Sequence, residues 1–190
     1  MAGERYQNRP IYFSDVIVHA GSRFQTFSDL KGASWAFNEP GSQSGYNITR
    51  YHLSTLGEID GYFGQVAQAG SHENALKMVL NGKIDASAID STVLEIELSR
   101  HPDISQQIRI IDTLGPSPIP PYVISTSLPL ELRQRIRSIL LDMHNHPSGQ
   151  TILQQAAMLR FAAVTDADYD PIREMEKAAR DVIFESRESP

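Results

Sequence analysis

Residues 33–56 read ASWAFNEPGSQSGYNITRYHLSTL, and three kinds of local structure follow one another in this stretch. The apolar run from Ala33 to Phe37 predicts a short buried strand, and Ile48 to Leu56 show the apolar spacing of a helix. Residues 38–46 between them are rich in Gly, Pro and Ser, as loops are. A strand, a loop and a helix start present several backbone N–H groups to one point, which suits an oxyanion.

The same alternation of strand and helix patterns continues along the chain. Helix patterns begin after Gly70-Ser71 and at Asp90, and a strand pattern precedes the whole stretch at residues 11–18. Three further strand-like runs lie at residues 62–69, 84–89 and 108–114. Such alternation predicts a parallel sheet with helices on its faces.

A proline-rich segment follows at residues 115–121, GPSPIPP. Proline lacks a backbone N–H, so we expect an extended connector and a boundary here rather than a helix or a central strand. The remaining patterns predict brief strands at residues 122–125 and 161–164, and helices that begin near residues 129, 147 and 170.

Composition excludes several function classes. The formal net charge is −6, which argues against nonspecific nucleic-acid binding, and no apolar run approaches the length of a membrane span. The chain has no cysteine, so thiolate catalysis, disulfides and Cys-based metal sites are excluded. We predict no metal site, no cofactor and no catalytic residue.

Six stretches, taken in their order and spacing, indicate a family. They are Tyr12–Val18, Asp29–Gly32, Asn38–Tyr46, Gly70–His72, Val79–Ser91 and Tyr169–Pro171. Together they resemble the phosphate/phosphite/phosphonate-type substrate-binding proteins of ABC transporters. The resemblance implies an α/β, two-lobed, type II periplasmic-binding-protein fold in which each lobe is a parallel-type sheet flanked by helices.

The resemblance also implies how the lobes divide the chain. Residues 1–19 and 121–190 are expected to form a partial first lobe, and residues 20–120 a complete second lobe. Family members normally have a further half-lobe before the counterpart of Met1, so we expect a truncated chain. An incomplete lobe is expected to expose apolar faces at Ile136, Leu140 and Val182 and to favour self-association.

The family's anion-binding turn matches Ser42, Gln43, Ser44 and Gly45. The resemblance implies that hydroxyl and backbone N–H groups there hold the anionic group of the ligand. The alternative is an ordinary helix cap, in which Ser42 or Ser44 caps the helix and Gly45 makes the turn. The two interpretations are compatible.

Three more residues are ligand-binding candidates, each with a structural alternative. His72 matches a ligand-contacting histidine of the family, but it is equally a surface histidine beside the Ser71 cap. Asp90 ends a strand, where ligands of α/β sheets bind, and it is also a natural helix N-cap. Tyr46 either contacts the ligand or packs in the core.

Residues near the first crossing between the lobes are further candidates. Tyr12, Ser14 and Asp15 are expected to line the cleft. Around Pro121-Tyr122, relatives that bind aminoalkyl phosphonates tend to carry an acidic residue. Its absence here favours phosphate, phosphite or a ligand with an uncharged tail.

These observations predict a substrate-binding component of an ABC transporter that holds a small oxyanion and delivers it to a membrane permease. The expected location is the periplasm, or a lipid anchor outside the cytoplasmic membrane, although no apolar signal region follows residues 1–5. The alternative is a cytoplasmic enzyme of cofactor biosynthesis on the same fold, with His72 and Asp90 as general acid and base.

Overall fold

The computed structural model describes residues 4–183; residues 1–3 and 184–190 lie outside the described part. The strands are β1 (Ile11–His19), β2 (Ser34–Phe37), β3 (Gln65–Gln68), β4 (Ala86–Asp90) and β5 (Ile108–Pro118). The helices are α1 (Ile48–Thr55), α2 (His72–Leu80), α3 (Ser91–Arg100), α4 (Leu130–Asp142), α5 (Pro147–Gln155) and α6 (Asp170–Ala178). The predicted α/β class with flanking helices is confirmed.

The chain divides into two compact units. The small unit comprises Met1–Ile11 and Pro118–Tyr169, and the large unit comprises Tyr12–Ser117 and Asp170–Pro190. The predicted lobe boundaries, 1–19 with 121–190 and 20–120, stay a prediction. These units differ from the predicted lobes in placing residues 12–19 and the segment from Asp170 with the large unit.

The large unit is built on one sheet with the strand order β3-β2-β4-β1-β5. β2 pairs in parallel with β3 and with β4, as the alternating pattern predicted. β1 pairs antiparallel with β4, with Ser14 opposite Asp90 and Val18 opposite Ala86. The sheet is therefore mixed, and the expectation of a parallel-type sheet is wrong for β1.

The direction of β1 has a simple physical reason. Parallel neighbours need a crossover connection, usually a helix, and this constraint applies to the strands joined through α1 and α2. β1 precedes that alternation and reaches β2 through a segment whose only helical element is the short 3₁₀ turn Phe27–Leu30. Its pattern of apolar residues therefore predicts a strand but not the direction of that strand.

Both faces of the sheet are covered by apolar residues, because successive side chains of a strand point to opposite faces. One face packs an aromatic cluster around Trp35, Phe27 and Phe63, together with Val16, Val18 and Phe37. The other face packs Ile17, Ala36 and Ile89 against residues of α2 and α3 such as Val79 and Leu94.

The last helix is tied to the large unit by Arg50 on α1. The Arg50 guanidinium donates to the backbone oxygens of Ala179 at 2.7 Å and of Val182 at 3.2 Å. These carbonyls lie just beyond the end of α6, where backbone oxygens lack helical partners. Val182 is only 4% exposed and belongs to the core of the large unit. The expectation that Val182 forms an exposed apolar face is therefore wrong.

The proline-rich segment begins inside a strand. Gly115 to Pro118 form the end of β5, which lies at the outer edge of the sheet. An edge strand tolerates proline, because one side of it has no neighbouring strand to receive an N–H bond. The boundary between the units falls within this segment, at Ser117 and Pro118.

The small unit has α4 and α5 as its α-helices, and residues 122–125 and 161–164 form no strand, contrary to prediction. Its buried side chains include Tyr6 and Leu153, whereas Ile136 and Leu140 are half-buried. Ile139 is 58% exposed and Ile152 is 52% exposed. Over residues 4–183, no helix combines the length and apolarity that a membrane crossing requires.

The aromatic cluster provides a test of this fold. Phe63 is 4% exposed, and its ring stacks on that of Trp35 with centroids 4.6 Å apart. Phe63→Ala is expected to lower the free energy of unfolding by about 3–5 kcal/mol, because it leaves a cavity in the core. Urea unfolding followed by the emission of Trp35, the one tryptophan of the chain, measures this change.

The matched control is Ile59→Ala, since Ile59 is 57% exposed. Its expected effect is within about 0.5 kcal/mol. Equal losses in the two variants would contradict the assigned packing of Phe63.

Candidate functional site

The site lies where three neighbouring strands end. β2, β3 and β4 run parallel, so the segments that follow them meet at one edge of the sheet. Asn38 follows β2, Ser71 and His72 follow β3, and Asp90 ends β4. The large unit supplies all of these residues.

The segment after β2 forms a capped helical turn. Residues Gln43–Asn47 wind as one π-helical turn that leads into α1, and Ser42 is its N-cap. The Ser42 Oγ accepts a hydrogen bond from the backbone N–H of Gly45 at 3.1 Å. Ser42 therefore caps this helical turn, as the alternative interpretation of the sequence expects, and Ser44 does not.

Ser44 instead turns toward the start of α2. Its side chain is buried, and its Oγ lies 2.8 Å from Nε2 of His72 and 3.5 Å from Oγ of Ser42. His72 is the first residue of α2, where Ser71 caps the helix by accepting from the N–H of Asn74 at 3.1 Å. The structure thus brings together the two hydroxyls and the histidine that the sequence singled out.

Burial lowers the pKa of His72 below its ordinary value of 6.5, because a desolvated imidazolium is disfavoured. The negative charges of Asp90 and Glu73 raise it in part. His72 is therefore an uncharged imidazole at neutral pH. An uncharged ring can keep the hydrogen bond to Ser44 with either partner donating.

Tyr12 adds a third hydroxyl to the site. It is 2% exposed, and its pKa is raised mainly by burial and then by the nearby charge of Asp90. Its phenol is hydrogen-bonded with the hydroxyls of Ser44 and Ser117, so it stays protonated at physiological pH. Ser14 and Asp15, the other candidates on β1, are buried, and Asp15 accepts from Thr113 Oγ1 at 2.9 Å.

Asp90 serves as the N-cap of α3. Its Oδ1 accepts from the backbone N–H of Thr92 at 2.8 Å and from the Thr92 hydroxyl at 2.7 Å. The carboxylate is also close enough to Tyr12 and His72 to affect both their pKa values. Within residues 4–183, no group of three or more His, Asp or Glu side chains is placed to hold a metal ion.

Gln43 and Tyr46 make contacts within the protein. The Gln43 amide nitrogen lies 3.2 Å from both Ser117 Oγ and Met175 Sδ, and its oxygen accepts from Asn47 at 2.8 Å. The Tyr46 ring packs on Phe37 with centroids 5.0 Å apart. Both side chains therefore have partners within the protein. For Tyr46, this packing against the core matches the alternative to a ligand contact.

Two residues of the site were not among the sequence candidates. Asn38 appears in the loop only as a turn-forming residue, and Ser117 lies within the proline-rich segment. Asn38 Nδ2 is 3.4 Å from His72 Nε2, and a Cβ added at Gly45 would collide with Asn38 Oδ1. Glycine and asparagine are both common in loops, so the sequence pattern does not reveal that Asn38 and Gly45 lie in close contact.

Comparisons with known proteins identify the family of the chain. Residues 2–169 match the family described as ABC transporter, phosphonate, periplasmic substrate-binding protein. The chain is 23% identical over 171 residues to the phosphonates-binding periplasmic protein of Escherichia coli, covering 87% of this chain and 50% of that protein. It therefore spans about half the length of this curated relative.

Two solved structures share the fold. A binding protein component of an ABC phosphonate transporter from Pseudomonas aeruginosa superposes with a TM-score of 0.81 at 21% identity, covering 92% of this chain and 59% of that one. PhnD1 from Prochlorococcus marinus, solved in complex with methylphosphonate, gives a TM-score of 0.79 at 21% identity, with coverages of 91% and 68%.

The family consists of transport proteins and does not support the alternative of a biosynthetic enzyme. The type II periplasmic-binding-protein fold expected from the sequence is that of the solved neighbours. With the match extending over residues 2–169, the chain belongs to the family of phosphonate-type periplasmic substrate-binding proteins of ABC transporters.

Proposed function

We propose that this protein captures a small phosphonate or a related oxyanion, such as phosphate or phosphite, for an ABC transporter. The ligand is held by the turn Ser42–Tyr46 and by His72, with Asp90 at the edge of the site. The contact that carries the proposal is the 2.8 Å approach of Ser44 Oγ to His72 Nε2. It places a buried hydroxyl between the starts of two helical segments.

The electrostatics of this cluster support an anionic ligand without a cationic side chain. Backbone N–H groups at a helix start carry partial positive charge, which favours an anion nearby. Hydroxyl donors in a desolvated site form strong hydrogen bonds with an anion. His72 and Tyr12 are both uncharged at neutral pH, so His72 adds no positive charge and Tyr12 adds no negative charge to the site.

Asp90 provides a basis for discrimination among oxyanions. Both of its hydrogen bonds within the described chain go to Oδ1, so Oδ2 is available to a donor. A carboxylate repels a fully ionised oxyanion, but it accepts a hydrogen bond from a protonated phosphoryl oxygen or an ammonium group. We assign Asp90 this role at the rim of the site.

The remaining parts of the proposal follow from the family. Its members are periplasmic components of ABC transporters, which supports a membrane permease as the partner and the periplasm as the location. The ligand remains a proposal because the chain covers half of its curated relative. Self-association through the incomplete lobe stays a prediction. Of the three residues expected to expose its apolar faces, Ile136 and Leu140 are half-buried and Val182 is buried.

Ser44→Ala tests the anion site. Loss of the hydroxyl removes a hydrogen bond to a charged ligand, so the affinity for methylphosphonate or inorganic phosphate is expected to fall about 10- to 100-fold. Titration calorimetry of the wild type and the variant with both anions measures this change.

Ser54→Ala is the matched control, because the Ser54 hydroxyl bonds only to the Tyr51 carbonyl on α1 among the described residues. It is expected to bind as the wild type does. Unchanged affinity in the Ser44 variant would remove this turn from the site. A wild-type protein that binds neither anion would refute the proposed ligand class.

The lowered pKa of His72 predicts a pH dependence of stability. Its folded-state pKa lies below the unfolded value of 6.5, so the unfolded chain binds more protons as the pH falls through that value. The contribution of neutral His72 to the free energy of unfolding is fully present above about pH 6.5. It is lost as the pH falls toward the folded-state pKa. Urea unfolding of the wild type and of His72→Gln over this range measures that decline.

The variant is expected to lose less stability between neutral and mildly acidic pH than the wild type. Burial also lowers the pKa of His52, so His52 contributes part of the pH dependence of stability in both proteins. His52→Gln serves as the matched control. Identical slopes in the wild type and the His72 variant would contradict the burial of a neutral His72.

A further inference from the structure

Asn38 connects the two halves of the anion site. Its backbone oxygen accepts from the N–H of Gly70 at 2.9 Å, which ties the end of β2 to the turn before α2. Its side-chain amide lies between His72 on one side and Gly45 on the other. No other residue considered above contacts both the histidine and the turn.

The orientation of the Asn38 amide is set by its surroundings. Nδ2 faces His72 Nε2 at 3.4 Å, and Oδ1 is buried against Gly45 with no conventional hydrogen-bond partner among the described residues. An oxygen next to a glycine Cα gains a weak C–H···O contact, whereas the reversed amide would bury two N–H donors there. The oxygen therefore belongs on the Gly45 side.

This orientation has a consequence for His72. An amide nitrogen only donates, so the Nε2 that it faces must be the unprotonated, accepting nitrogen of the neutral ring. His72 Nδ1 has no partner within residues 4–183 in either tautomer, so the groups that face Nε2 decide which nitrogen carries the proton. One unpartnered N–H at Nδ1 costs less than the two that the reversed Asn38 amide would bury. In the unliganded protein, the Ser44 hydroxyl then donates a hydrogen bond to Nε2.

We propose that Asn38 is a positioning residue that holds His72 in the Nδ1–H tautomer and keeps its Nε2 hydrogen-bonded when Ser44 turns to the ligand. This proposal rests on the proposed function for its consequence in binding. An arriving oxyanion accepts a hydrogen bond from the Ser44 hydroxyl. Without Asn38, that rotation would leave a buried acceptor unsatisfied, which disfavours the bound state.

The same arrangement explains why residue 45 is a glycine. Its backbone N–H is bonded to Ser42, and a side chain at this position would displace the Asn38 amide. The turn, the amide and the imidazole therefore form one connected unit. In binding, this unit lets the Ser44 hydroxyl turn to the ligand without leaving His72 Nε2 unsatisfied.

Two variants of Asn38 test the proposal. Asn38→Asp keeps the shape but replaces the donor facing Nε2 with an acceptor, and Asn38→Leu keeps the volume but removes both polar groups. Long-range ¹⁵N–¹H NMR of the unliganded protein reports the tautomer, and His72→Gln assigns the signal among the six histidines. Affinity for methylphosphonate and inorganic phosphate is measured by calorimetry.

The wild type is expected in the Nδ1–H form, and both variants are expected to shift toward protonated Nε2. Asn38→Leu is expected to bind methylphosphonate and inorganic phosphate about tenfold more weakly than the wild type. Asn74→Leu is the control, because the Asn74 amide donates to the Ala69 carbonyl at 3.0 Å, and its hydrogen bonds within residues 4–183 do not involve His72. It is expected to leave the tautomer unchanged.

Two results would overturn the proposal: a wild-type His72 protonated at Nε2, or a folded Asn38→Leu protein with the wild-type tautomer and affinity. If Asn38→Leu fails to fold, the tautomer of the isosteric Asp variant decides. If no anion binds but the tautomer shifts as expected, the proposed function fails while the control of His72 by Asn38 stands.

Discussion

The parallel pairing of β2 with both of its neighbours is the constraint on which the site depends. Parallel strands end at the same edge, so the turn after β2 and the starts of α2 and α3 converge there. Antiparallel pairing of either neighbour would send one of these segments to the opposite edge. Ser44 and His72, which are 28 residues apart in sequence, would then not meet.

Convergence at this edge also makes the proposed anion binding compatible with an acidic chain. The net charge of −6 acts against phosphate polymers, but a small oxyanion responds to donors within hydrogen-bond distance. Burial keeps His72 and Tyr12 uncharged, and the Asp90 carboxylate caps α3 by accepting hydrogen bonds from Thr92. The candidate site is therefore polar, and the proposed binding needs only the Ser44 hydroxyl to turn toward the ligand.

Much of this arrangement follows from local patterns, and the parts that do not follow share a cause. Ser42 as a cap, Asp90 as a cap and the helix beginning after Ser71 were all predictable, because capping depends on residues within one turn. The direction of β1 was not predictable, because no crossover helix constrains it. Asn38 and Ser117 were missed because their partners His72 and Gln43 are remote in sequence.

The sequence by itself determined the alternation of strands and helices, the family, and the hydroxyl-rich turn that begins α1. These properties depend on short-range spacing and on the order of matching stretches along the chain. Only the tertiary structure decided which of the candidate side chains meet. It placed Tyr12 and His72 in contact with Ser44, and it packed the half-buried Gln43 and Tyr46 against Met175 and Phe37. The physical reason is that strand pairing and core packing, which bring remote residues together, leave no local signature in the residues that they unite.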